Sequence, residues 1–261
     1  MKIKHSFIST FLCAIFLFNI SSISAQQKYD IHQAFDETGK FLLKPFHWDK
    51  DDLLTAGGVI LGTVILTQID KPVKNFMMQD RSYADRGLMS FGTFYGSAVP
   101  HLALGAGLFL HGLIWDNNYT KKFGFELIQA LAYTGIVTEL LKYTFGRERP
   151  SSTDSPFNFS PFSFKGDEDQ SLPSGHCTVV FAATAVIASK FENGWIKALC
   201  YAPAFITAFS RVYNNRHWVS DTFLGGFVGY FIGSYIVGLH EEKENSGVQI
   251  SGSLLSISIK L

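Results

Sequence analysis

Six apolar runs joined by short polar stretches dominate this chain and limit what it can fold into. They occupy residues 53–69, 88–115, 123–141, 178–191, 195–209 and 222–239. A helix of a soluble domain carries an apolar stripe on one face; runs that are apolar nearly all round need either a large core or lipid about them. Composition chooses lipid. Charged residues make up 17% of the 261 positions, below the roughly 25% of an average soluble domain, and Phe alone occurs 25 times. The 23 glycines allow helices to approach closely without a polar glue. The pattern predicts an all-α fold, a helical bundle of about six mostly membrane-spanning helices. Pro100, inside the second run, predicts a kink there.

The flanks differ from this body. Lys2, Lys4 and His5 precede an apolar stretch over residues 7–20, and small residues follow as far as Ala25. Residues 1–25 therefore read as a secretory signal, because that stretch is shorter than the ~20 residues that cross a bilayer. An uncleaved anchor helix is the alternative. Residues 26–52 read as a polar N-terminal segment, 53–240 as the helical membrane domain and 241–261 as a tail. Within the domain, the charged residues 70–86 suggest a loop or interfacial helix. Residues 240–247 suggest a solvated charged stretch, and Leu255, Ile257, Ile259 and Leu261 alternate as in a strand. Cys13, Cys177 and Cys200 show no metal-ligand spacing and read as reduced thiols. A formal net charge of zero gives no electrostatic case for nucleic acid as partner.

Polar chemistry is confined to three short blocks set among apolar neighbours. The first runs Lys142-Tyr-Thr-Phe-Gly-Arg-Glu-Arg149-Pro150, the second is Pro173-Ser174-Gly175-His176, and the third joins Ser210-Arg211 to His217 and Asp221. Charge among Leu, Ile and Phe is costly unless compensated, and a bound anion would compensate Lys142, Arg149 and Arg211. His217 and Asp221, four apart, share one face at a helix start; a carboxylate there fixes the ring tautomer and leaves the other nitrogen as a nucleophile. Ser174 and Gly175 stand before an apolar helix, whose first N–H groups bind anions. His176 is placed to act as general acid and then base. Each block alone also fits a bland reading, a structural His/Asp pair or an ordinary helix-starting turn. Between residues 151 and 171 lies an irregular segment carrying Phe157, Phe159, Phe162 and Phe164, which reads either as a lid or lipid-contacting rim or as a loop packed on itself.

Together the three blocks resemble the signature of the type 2 phosphatidic acid phosphatase superfamily, which includes membrane lipid phosphatases, bacterial acid phosphatases and vanadium haloperoxidases. The resemblance covers residues 142–221, with every signature position present. It implies a phosphohistidine on His217, orientation of that ring by Asp221, and acid–base work by His176. It also implies phosphoryl binding by Lys142, Arg149, Ser174, Gly175 and Arg211, and no metal or cofactor. Arg147, Glu148 and Arg216 fall at variable positions and receive no role. The apolar runs favour the membrane branch: a phosphorylated lipid as substrate, the inner membrane as location, and an active site at the helix ends near one membrane face; the resemblance implies that this face is the periplasmic one. The alternatives are a soluble periplasmic acid phosphatase, a haloperoxidase, a metallohydrolase using both histidines and Asp221, and a non-enzymatic membrane scaffold.

Overall fold

The computed structural model describes residues 28–79, 86–162 and 166–246. The proposed signal, Phe164 and the alternating tail lie outside the described residues. Among the described residues there is no strand, only an isolated antiparallel bridge between Arg147 and Phe159. The elements are α1 (Ile31–Leu43), α2 (Lys50–Gln79), α3 (Arg86–Tyr95), α4 (Ala98–Ile114), α5 (Asn118–Phe145), α6 (Gly175–Ala188), α7 (Gly194–Cys200), α8 (Ala202–Tyr213) and α9 (Val219–Ser246). The all-α bundle is as the apolar runs predict.

Helices α5, α6 and α9 form the centre, with Leu127, Leu131, Ala183, Val186, Ile232 and Ile236 in the buried core. Small residues let α9 lie almost backbone to backbone on α6. A Cβ added at Gly229 would stand 2.1 Å from the Thr178 carbonyl oxygen, and one at Gly233 2.4 Å from that of Ala182. With Gly225 these positions recur every fourth residue, the small-residue stripe by which helices associate in lipid. Outside the core, Leu53, Leu54, Ile60, Leu61, Val64 and Ile65 of α2 are exposed, an apolar belt that suits lipid and not water. Helix α2 and the Val219–Glu241 part of α9 are long and apolar enough to cross a membrane, and the α3–α4 pair makes a third span if its 52° bend is crossed as one.

Three local readings are corrected. The charged stretch after residue 69 continues α2 as far as Gln79, because Asp70 is buried against Arg147 and Ser220 rather than solvated. The second apolar run breaks between Tyr95 and Ala98, so Pro100 sits in the first turn of α4, where its missing N–H costs nothing, and does not itself kink a helix. His240 is fully buried; its ring nitrogens lie 3.1 Å from Glu37 and 3.2 Å from Glu126. Glu37 also accepts from Gln129 at 2.7 Å, which ties α1 to the halves of α5 and α9 remote from residue 142.

Candidate active site

Two helices end and two begin at the same place. Lys142 lies in the last turn of α5, which Gly146 closes in the left-handed conformation at φ 56°. Only glycine fits there, since a Cβ would meet the Ser160 carbonyl oxygen at 1.9 Å. The chain then leads directly to Arg147 and Arg149. Ser174 is the residue before α6 and Gly175 its first. Arg211 is in the last turn of α8, and a turn through Asn215, at φ 56°, delivers His217 just ahead of α9 and Asp221 into its first turn. The N-terminal ends of α6 and α9 thus face the cations at the C-terminal ends of α5 and α8, an arrangement that favours an anion.

The blocks are physically joined. Arg149 Nη1 is 3.3 Å from His217 Nε2. The Lys142 ammonium lies beside Gly175, close enough that a Cβ there would be 3.4 Å from Nζ. Arg211, His217, Lys142 and Arg149 are the charged or titratable groups whose fields act on the His176 ring. All the residues singled out in the three blocks are therefore brought together. Ser174 Oγ and Arg211 Nε are buried with no hydrogen-bond partner among the described residues, so two donors in this cluster are left for a ligand oxygen. Beside His176 opens a cleft of about 240 Å³ lined by Gly96, Ser97, Gly135, Thr138, Glu139 and Val179.

The contacts of His217 fix its tautomer. Nδ1 is 2.8 Å from the Ser171 carbonyl oxygen, which only accepts, so Nδ1 carries the hydrogen. Nε2 faces a guanidinium, which only donates, so it carries the lone pair. Burial pushes this imidazole below its ordinary pKa, with Asp221 pulling the other way, so the unprotonated form is favoured. Asp221 does not itself make that hydrogen bond. It is 3.8 Å from Nδ1, and its oxygens accept from Arg147 Nη1, Ser171 Oγ and, at 2.8 Å, the Trp218 N–H.

Sequence reasoning overlooked five contributors, Arg147, Asp70, Ser171, Thr93 and Asp167. Arg147 is 1% exposed and bound to two carboxylates, Asp70 and Asp221. Asp70 comes from α2, 72 residues before the first block begins at Lys142 (142 − 70), so no spacing rule could point to it. Ser171 acts through its carbonyl, which any residue possesses. Thr93 accepts from Arg211 Nη2 at 2.8 Å and stands in an unremarkable apolar helix. Arg216 pairs with Asp167 at 3.1 Å, at the surface, and Asp167 also holds Arg149 Nη2 at 2.7 Å. Phe157, Phe159 and Phe162 are exposed rather than folded into their loop. Cys177 is buried and Cys200 half-buried, both as free thiols.

Comparison with known proteins gives concordant matches. The family model described as PAP2 superfamily matches residues 123–244. A lipid A 1-phosphatase of Rhizobium johnstonii is 32% identical over 198 residues, covering 70% of this chain and 77% of that one. A lipid A 1-phosphatase of Porphyromonas gingivalis is 30% identical over 152 residues, 56% of this chain; the match spans only 31% of that relative's length. The fold is similar to the crystal structure of a transmembrane PAP2 type phosphatidylglycerolphosphate phosphatase from Bacillus subtilis, with TM-score 0.51 and 21% identity, over 71% of this chain and 95% of that one.

Proposed function

The chain belongs to the PAP2 superfamily, and from that premise we propose that it is a membrane phosphatase that hydrolyses a phosphate ester of a lipid, a lipid A type phosphate foremost, through a phosphohistidine on His217. The single observation that carries the reading is the His217 Nε2 lone pair held 3.3 Å from Arg149 Nη1. A nucleophile at a guanidinium is poised for an anionic electrophile. Lys142, Arg149 and Arg211 hold the phosphoryl oxygens, with Ser174 and the N–H groups at the start of α6. Nε2 attacks phosphorus and the P–O bond to the lipid breaks. His176, whose pKa is held down to about 4 in the free enzyme by burial and the neighbouring cations, takes up a proton as the bound phosphate offsets those cations and gives it to the departing alkoxide. His176 then takes a proton from water, the hydroxide displaces phosphate from Nε2, and the imidazole is restored. Three fixed cations supply the charge stabilisation that a metal gives elsewhere, so no metal is assigned.

The lysines support a site facing the periplasm. Lys121, Lys122, Lys190 and Lys197 belong to the joints at the opposite ends of the helices, the cytoplasmic side by the positive-inside rule. The exposed Phe157, Phe159 and Phe162 would then border the site as a lipid-contacting rim. The test is inorganic phosphate released from a panel of phosphorylated lipids by detergent-purified protein. Release from lipid A 1-phosphate, inhibited by vanadate and unaffected by EDTA, is expected. Activity lost on chelation and restored by zinc, or no release from any phosphorylated lipid, would refute the proposal.

A further inference from the structure

Arg147 makes a complete set of contacts in a place where the phosphatase chemistry assigns it none. Its five N–H groups are all used: Nε donates to the Pro156 carbonyl at 3.0 Å, Nη1 to Ser220 Oγ at 2.7 Å and to Asp221 Oδ1, and Nη2 to Pro156 O at 2.7 Å and Asp70 Oδ2 at 2.8 Å. Asp70 also accepts from the Ser220 N–H at 3.0 Å and from its hydroxyl. Arg147, Asp70, Ser220 and Asp221 are all buried. A guanidinium shared by two carboxylates leaves one net negative charge, and that charge lies behind the ring that becomes positive during attack.

The network runs on to the nucleophile. Asp221 is held by Arg147 on one oxygen and by Ser171 Oγ and the Trp218 N–H on the other. The Ser171 N–H donates to the Arg147 carbonyl at 2.9 Å, and the Ser171 carbonyl takes the Nδ1 hydrogen of His217. Ser171 is thus fixed by Arg147 through its own backbone and through Asp221.

Resting on the phosphatase reading above, we propose that Arg147 and Asp70 are positioning residues for phosphoryl transfer: anchored on α2 by Asp70, the guanidinium holds Asp221 against Ser171 and so keeps the Ser171 carbonyl on Nδ1 of His217. Neither residue reaches the phosphoryl group, which Lys142, Arg149 and Arg211 bind. Loss of the network therefore lowers kcat and spares binding. The anchor comes from a helix that carries none of the three blocks.

The experiment compares wild type with Asp70→Asn and Arg147→Lys as full-length protein in detergent. Asn keeps an acceptor for Ser220 and is the variant least exposed to folding failure; Lys keeps the charge and loses the fork. The expected result for Asp70→Asn is kcat lower by at least tenfold, with KM and the vanadate inhibition constant within about twofold. The acidic limb of its kcat/KM profile should move to lower pH, since a negative charge that favours the imidazolium has gone. Nitrogen NMR of labelled histidine should show His217 as the Nδ1–H tautomer in wild type and as a mixture in Arg147→Lys. Wild-type kcat and tautomer in both variants overturn the proposal. So does a loss of activity that only follows the loss of folded, vanadate-binding protein. Wild-type protein that releases no phosphate from any lipid refutes the functional reading instead, and the tautomer measurement separates the two failures.

Discussion

At the residue scale, His217 is the group on which everything else acts. Replacing it with Ala should abolish turnover and leave the bundle folded, as checked by activity and thermal unfolding of the purified variant; retained activity would remove it as nucleophile. Its depressed pKa has a consequence for pH. A ring that resists protonation stays nucleophilic below the ordinary imidazole value of ~6.5, so the acidic limb of kcat/KM for the free enzyme should lie below that pH. The same shift contributes stability that is present above the unfolded value and is lost as pH falls, because the unfolded chain binds the proton more readily. Arg211→Lys should lower kcat/KM by as much as ~10²–10³-fold, since an ammonium offers no second prong to the phosphoryl oxygens; wild-type kinetics would contradict the fork. The cations and both imidazoles were legible in the sequence because their chemistry resides in side chains at fixed local spacing. Ser171 and Asp70 were not, because one works through a carbonyl and the other through a contact across the fold.

Among the helices, the site depends on how closely α6 and α9 meet, since each presents its first turn there. The Gly225, Gly229 and Gly233 stripe sets that distance. Gly229→Ala should destabilise by about 1–3 kcal/mol through overpacking against the Thr178 carbonyl, seen as a lowered Tm in detergent. Gly238→Ala, in the same helix with nothing within 4 Å of its Cβ position, should leave Tm unchanged or raise it. Equal Tm values for the two would contradict the packing account. The apolar runs located these helices, yet their ends drifted where a polar residue is satisfied internally. Asp70 and His240 extend α2 and α9 beyond the apolar stretches because Arg147 and the pair of glutamates take them up. No count of hydropathy along the chain reveals such partners.

For the whole molecule, orientation is the sharpest consequence. Helix α1 contacts residues 129 and 240, whereas α2 carries the chain from there to Asp70 and the site, 20 residues from Lys50 (70 − 50), or ~30 Å of helix. If α2 crosses the membrane, α1 and the site lie on opposite sides. A periplasmic site then requires a cytoplasmic α1, and a signal that exported residues 26–49 would exclude it. Impermeant maleimide should therefore label Ser152→Cys and not Asp51→Cys in intact cells; the reverse pattern would turn the site inward. Segments distant in sequence converge around His176 and His217, and the phosphoryl transfer proposed there is directly measurable. Protein mixed with a phosphate-labelled lipid A substrate, quenched in alkali within milliseconds and digested, should carry alkali-stable label on the peptide containing His217, absent from His217→Asn. Steady turnover with no label on that peptide, or label on another residue, would contradict the account.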